Sequence, residues 1–358
     1  MLTIYAGKKA LKTIQEHGFK QELFTNFLGA SGGPKWFTLF GLDKYLFGEF
    51  FKNRTTELNL VGSSAGAFRA ACFAQDDAVA AISRLADYYS HTVYSDKPTA
   101  KEITLKARNL LDYVYGEQGK QEILANKIFK AHFIVAKSKS LVASEQKLIQ
   151  LTGLLTSYLL NRLDRKHLKH FYQRVIYHAP NSQLLIKDNY QFNNLYIPLN
   201  LNNLTDALLA SGSIPLVMQG IKNIADSPQG MYRDGGIIDY HFDIQLSNKT
   251  AADKCNQGLT LYPHFANSPK AGWFDKNLNR LVHNKNYENI VMLVPSTQFV
   301  QSLPYQKIPD RKDFEQLEAK TRIHYWQQVL KQTEQLALAF DNFVNNPDLN
   351  KIKAFPFA

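Results

Sequence analysis

The chain has 358 residues, with 42 Lys and Arg against 31 Asp and Glu, a formal charge of +11. With 45% hydrophobic and 20% charged residues it is a folded globular chain rather than a disordered one, and its length fits one large α/β domain spanning 1–358. Two cysteines, Cys72 and Cys255, exclude a disulfide scaffold, and no C-x-x-C pair signals zinc.

The opening MLTIYAGKKALKTIQEHGF has no long apolar core, so no signal peptide is expected. The longest lipid-like stretch, 148–160, is shorter than the ~20 residues of a spanning helix. The expectation is a cytoplasmic protein, with peripheral membrane contact left open. Its basic excess points to an anionic partner, nucleic acid or a lipid surface.

In chain order, 7–16 carries helix formers and 24–28 is a strand candidate leading into GASGGPKW. Pro34 suits the first turn of a following helix over WFTLFGLDKYLF. Residues 58–61 form a second short strand candidate, followed by GSSAG and the small-residue helix AFRAACFAQ. A helix at 78–89 and a strand at 132–136 come next. The longest helical stretch of the middle region, 141–163, runs into the basic segment NRLDRKHLKHFYQR. Strands at 183–187 and 195–199, a helix at 204–210, and strands at 259–261 and 290–294 follow. Residues 313–344 read as one long amphipathic helix. The recurring order of strand, glycine turn and helix predicts an α/β fold with a mostly parallel sheet. No Gly/Ser/Pro linker divides it, and 138–169 reads as a helical insertion or lid.

The sharpest local signal is Gly62-Ser63-Ser64-Ala65-Gly66, a G-x-S-x-G between a strand and a helix. A serine at such a turn sits on a strained backbone, and Gly62 and Gly66 give the turn room to close. The amide of Ala65, at the helix N-terminus, lies where developing negative charge is favoured. Serine needs a base. A Ser-Asp-His triad would draw on His241, His264, His283 or His324, all late enough in the chain. A competing base is Asp234 in Tyr232-Arg233-Asp234-Gly235-Gly236, 170 residues beyond Ser64. Upstream, Gly29-Ala30-Ser31-Gly32-Gly33-Pro34-Lys35 is a glycine-rich turn whose amides can hold an oxyanion. Pro34 has no N–H, so Gly32, Gly33 and, across the site, Ala65 are the candidate donors. The same turn fails as a nucleotide loop, because Pro34 and Trp36 replace the glycine and the hydroxyl residue that a phosphate loop requires.

A glycine-rich loop ending in a basic residue, then G-x-S-x-G, then D-G-G, resembles the patatin-like phospholipases. The resemblance spans about 26–243, and ALLASGSIP at 207–215 is similar to the segment preceding the D-G-G in that family. It implies a three-layer α/β/α fold and a serine–aspartate dyad without histidine. Ser64 is then the nucleophile, Asp234 the base, Gly32 and Gly33 the oxyanion-loop glycines, and Lys35 the loop's basic residue. Gly62, Gly66, Gly235 and Gly236 complete the motifs. It further implies cleavage of phospholipid or acylglycerol esters through an acyl-serine. The sequence contains no acidic cation-binding loop of the calcium type, so no metal is expected, and no cofactor. The chain departs from the family pattern at Ala30, Ser31, Pro34 and Trp36. Those departures keep a weakly active lipid-binding protein as an alternative. Asp239 stands where an asparagine is common, and a second carboxylate there either raises the pKa of Asp234 by repulsion or points to solvent.

Residues 161–174 hold the densest positive charge, after the apolar stretch from 141. This is either an interfacial lid that touches anionic membrane or a core helix followed by a solvated turn. No nucleic-acid module is present, so nucleic acid is not expected as a partner. His167 and His170 share a helical face without a carboxylate partner, which gives no metal site.

Overall fold

The computed structural model describes residues 1–248 and 258–357; Cys255 lies outside the described residues. The described strands are β1 (Leu2–Ala6), β2 (Phe24–Gly29), β3 (Leu58–Ser63), β4 (Phe129–Ser138), β5 (Tyr172–His178), β6 (Leu184–Asp188), β7 (Asn194–Pro198), β8 (Ile221–Lys222), β9 (Met231–Asp234), β10 (Ile244–Asn248), β11 (Leu259–Pro263), β12 (Ile290–Pro295) and β13 (Ile352–Lys353).

The main sheet runs β13-β1-β12-β11-β2-β3-β4-β5-β7, with β12, β11, β2, β3 and β4 forming a parallel block. β1 is antiparallel to β12, and β4 is antiparallel to both β5 and β9. The predicted α/β architecture with a mostly parallel central sheet is therefore the observed one. Side chains alternate strictly between its two faces, as a period of two requires. Leu58 and Leu60 of β3 and Phe133 and Val135 of β4 join the larger core, whereas Val61 and Ile134 enter the smaller one. The larger core packs under helices Phe40–Tyr45, Ala65–Phe73, Ala78–His91, Ala319–Gln332 and Glu334–Asn345. The smaller lies partly under the antiparallel β6–β10 pair.

Several elements differ from the sequence reading. β1, β5 and the helices Ala100–Tyr115 and Gly119–Ala125 were not expected. β5 hides inside the basic run, because Arg174 points inward and is neutralised by a buried fork with Asp239 (2.6 and 2.9 Å) and by Asp188. Asp239 thus neither faces solvent nor acts as a free charge beside Asp234. Arg165 is buried as well, 2.7 Å from Asp275, which also binds Arg280 (2.6 Å). Of the five Lys and Arg in 161–174, only Arg162, Lys166 and Lys169 reach the surface or its margin.

The expected single helix at 313–344 is three: Asp313–Gln316, Ala319–Gln332 and Glu334–Asn345. Leu317 and Glu318 are extended and end the first. The last two helices are divided at Thr333, whose hydroxyl accepts from the amide of Gly41 (2.9 Å) and donates to Leu330 O (2.6 Å). An amide in the first turn of helix Phe40–Tyr45 thereby finds its acceptor on the C-terminal helices. Among the described residues no helix is long and apolar enough to cross a membrane.

Candidate active site

β3 and β9 meet end to end along one side of β4. β3 runs parallel to β4 until Ser63 lies opposite Ile134, and β9 arrives from the other direction with Asp234 opposite Val135. Two chain ends 170 residues apart are thereby delivered to adjacent β4 residues. Beyond its strand each enters a turn: Ser64 precedes helix Ala65–Phe73, and Asp234 caps the short helical turn Gly235–Ile237.

Ser64 adopts φ 54°, ψ −124°, a conformation rare for any residue with a side chain. Its amide donates to Ser211 Oγ (3.0 Å), which in turn donates to Ile134 O (2.7 Å), so the elbow is tied to β4. The glycines around it are forced by close backbone approach. A Cβ on Gly62 would lie 2.2 Å from Gly66 O, and one on Gly66 would lie 1.8 Å from Gly29 O. β2, β3 and the helix after Ser64 therefore cross with no side chain between them.

Ser64 Oγ donates to Asp234 Oδ2 at 2.9 Å, and both residues are buried. Asp234 Oδ1 accepts from the Gly236 amide at 2.7 Å, and the Asp234 amide donates to Ser213 O at 3.0 Å. Burial pushes the Asp234 carboxyl up from 3.8 to about 6, against the opposing pull of the Gly236 and Ser64 hydrogen bonds and of Arg311 and Lys276. The cause is desolvation rather than repulsion by Asp239.

The glycine loop lies across the same cavity. Ser31 occupies the first loop position without obstructing it: its hydroxyl turns under the elbow to Ser63 O and Oγ, both at 3.1 Å. Gly32 is needed because a Cβ would lie 2.7 Å from the Phe265 ring, and Gly33 has φ 56°. The amides of Gly32, Gly33 and Ala65 take no acceptor among the described residues, and all three residues line the cavity with Ser64 and Asp234. Trp36 is accommodated because the chain leaves the loop as a 3₁₀ turn, Gly33–Leu39, with the indole buried against Phe37 and Phe40. Lys35 reaches Asp310 at 3.4 Å and lies over Phe265.

None of the four candidate histidines is hydrogen-bonded to Ser64 or Asp234 among the described residues. His241 accepts from the Lys270 amide, His264 is held by Ala266, His283 binds Asp243 at 2.7 Å, and His324 is exposed. Burial lowers the pKa of His241 and His264, which keeps both imidazoles neutral.

The cavity is about 1460 Å³, larger than the ~300–1,000 Å³ usual for small ligands. Phe68, Leu110, Ile214, Val217 and Met218 give it an apolar wall, while Lys35, Lys276 and Arg311 give it a basic one. Burial, then Arg311 and Lys35, bring Lys276 down to about 7, and its ammonium lies 4.0 Å from the Tyr240 ring centroid. The sequence reading did not find Ser211, Lys276 or Arg311. Ser211 stood within the ALLASGSIP segment, but the two cations lie in stretches with no motif at all.

A strained strand-to-helix serine, a buried aspartate in contact with it and a large half-apolar cavity thus meet at one place on an α/β fold. Residues 59–241 match the family model of the patatin-like phospholipases. The chain belongs to that family, whose general activity is lipid acyl hydrolysis. Among solved structures it is similar to VipD from Legionella pneumophila, at 13% identity and a TM-score of 0.34, over 88% of this chain and 67% of that one. No curated protein matches the chain.

Proposed function

We propose that the protein hydrolyses carboxylic esters of phospholipids or acylglycerols through an acyl-enzyme on Ser64, with Asp234 as the only side-chain base. The observation that carries this reading is the 2.9 Å hydrogen bond between the buried Ser64 and Asp234, in a cavity with both an apolar and a basic wall. Asp234 takes the hydroxyl proton as Ser64 Oγ attacks the ester carbonyl carbon. The carbonyl oxygen becomes an oxyanion that the amides of Gly32, Gly33 and Ala65 receive, each such donor being worth about 10²–10³ in rate. The intermediate collapses, the C–O bond to the alcohol breaks, and Asp234 returns its proton to the leaving oxygen. A water then gives a proton to Asp234 and attacks the acyl-serine, releasing a fatty acid and re-forming the Ser64 hydroxyl. An aspartate near 6 is a stronger base than one at 3.8 and is still mostly ionised at neutral pH.

The acyl chain is assigned to the apolar wall and the polar end of the substrate to the side of Lys35, Lys276 and Arg311. Peripheral contact with anionic lipid belongs to the same reading. The decisive experiment is labelling with an alkyl fluorophosphonate. The native protein is expected to be modified at Ser64, and the Ser64→Ala protein is not. Absence of labelling together with absence of aryl-ester hydrolysis would replace this reading with that of a lipid-binding protein.

The pH profile supplies a second check. The enzyme needs ionised Asp234, so kcat/KM rises with pH through about 6. Lys276 is among the charges that hold Asp234 down, so Lys276→Met is expected to move this acid limb to higher pH on an uncharged aryl ester. An unmoved limb would remove Lys276 from the electrostatics of the site.

A further inference from the structure

Helix Lys147–Leu163 is built inside out. Its buried face carries Gln150, Gly153, Leu154, Ser157 and Asn161, four of them polar or without a side chain. Hydrogen bonds hold that face: Gln150 Nε2 to Ser144 O (2.7 Å), Ser157 Oγ to Gly153 O (2.8 Å) and Asn161 Nδ2 to Asp275 Oδ1 (2.9 Å). The outward face is a line of leucines. Leu148, Leu151, Leu155, Leu159 and Leu163 recur at helical spacing and are 51–80% exposed. The line is roughly 22 Å long at the usual helical rise. A core helix would present the opposite arrangement, so the core-helix reading of the 141–163 stretch does not hold for these five leucines. Scattered exposed leucines mean nothing, but an aligned set of this length marks a contact surface.

Two observations identify the partner. The line is bracketed by outward cations, Lys147 at one end and Arg162 and Lys166 at the other, against the single carboxylate Asp164 within 147–170. The helix that carries the line also packs by its buried face against the rim of the cavity: the amide of Leu216 donates to Gln150 Oε1 (2.9 Å), and the neighbouring Val217 lines the cavity. Leu216 and Val217 are themselves partly exposed apolar residues. An apolar ridge edged with positive charge at the mouth of an acyl-binding cavity fits the headgroup–acyl boundary of an anionic bilayer.

We infer that the leucine face of helix Lys147–Leu163 is the surface by which the protein lies on anionic membrane, bringing the cavity mouth down onto its lipids. This rests on the lipid-ester reading for its purpose. It shifts the contact from the basic 161–174 turn to the helix before it, with Arg162 and Lys166 as the flanking charges.

The test is flotation of Ser64→Ala protein, which cannot turn over lipid, with vesicles of phosphatidylcholine mixed with phosphatidylglycerol and with vesicles of phosphatidylcholine alone. The protein is expected to float with the mixed vesicles more than with the neutral ones. Adding Leu148→Gln, Leu155→Gln and Leu159→Gln, all at exposed positions, is expected to lower the bound fraction at least about tenfold, the apolar burial being the larger part of interfacial affinity. The same triple variant with Ser64 intact is expected to hydrolyse a soluble short-chain aryl ester at the native rate and vesicle phospholipid at least about tenfold more slowly. Flotation of the triple variant equal to that of its parent would overturn the inference. So would a parent that fails to float, or one that elutes as a dimer which the triple variant splits, since the face would then be covered by a second copy. Failure of the hydrolase reading is separate: it appears as lost aryl-ester hydrolysis and leaves the flotation result untouched.

Discussion

Asp234→Asn is expected to abolish hydrolysis and at the same time to stabilise the fold. Asparagine keeps the shape of the carboxylate, accepts from the Gly236 amide and donates to Ser64 Oγ, but it cannot take a proton. Ser64 loses its base, and kcat on an aryl ester is expected to fall by about 10⁴-fold, the scale seen when one member of a serine catalytic unit is removed. Stability moves the other way. The folded pKa of Asp234 is raised by burial from 3.8 to about 6, so the folded state binds the proton more tightly than the unfolded chain. The stability this group contributes is fully present below 3.8 and is lost as pH rises through about 6. At neutral pH the native protein therefore carries a desolvated charge costing up to about 3 kcal/mol, which the asparagine variant does not carry. Denaturant titrations are expected to show the advantage of Asp234→Asn growing as pH rises from 3.8 to about 6 and staying level above that. A variant no more stable than the native protein at the upper end would show that Asp234 is not held as a buried charge. Ser64→Ala is expected to lose activity to a similar degree without this pH-dependent gain.

Gly66→Ala carries the largest expected structural effect. Its Cβ would lie 1.8 Å from Gly29 O and 2.1 Å from Gly29 C, both main-chain atoms of β2. No rotamer change relieves a clash of that kind. Helix Ala65–Phe73 has to lift away from β2 and β3, and Ser64 rides on its first turn. The cost is expected at or above the top of the ~1–3 kcal/mol range of overpacking, with activity lost because the elbow moves. Urea unfolding checks the first part and fluorophosphonate labelling the second. A folded Gly66→Ala protein that still labels at the native rate would mean that the three glycines are not in backbone contact.

The two predictions divide between what was and was not readable in the linear chain. The requirement for glycine at 62 and 66 was legible because a strained serine turn imposes it locally. The candidate pair Ser64 and Asp234 was legible as motif plus order. Neither motif could say that β3 and β9 end at neighbouring residues of β4, since that depends on strand order and direction. The histidines remained open as alternatives until their actual partners were seen: the Lys270 amide, Ala266 and Asp243, with His324 left exposed.

Where the reading went astray, a long-range partner had changed the meaning of a local pattern. Arg174 and Arg165 looked like surface charge because their carboxylates, Asp239 and Asp275, are 65 and 110 residues away. The C-terminal helix looked continuous because the amide that Thr333 accepts from, at the point where the helix is divided, belongs to Gly41, 292 residues upstream. The choice between an interfacial helix and a core helix at 148–163 stayed open because hydropathy counts residues without knowing which side faces inward.

The amino-acid sequence by itself determined the fold class, through the recurring order of strand, turn and helix, and the strained serine turn, the D-G-G turn and the glycine loop, because each of these turns is written in contiguous residues under local steric rules. The tertiary structure alone decided how deeply Asp234 is buried, which cations face it and which side of helix Lys147–Leu163 is left uncovered. Those properties arise from solvent exclusion and charge partners supplied by distant segments, and no local pattern encodes them.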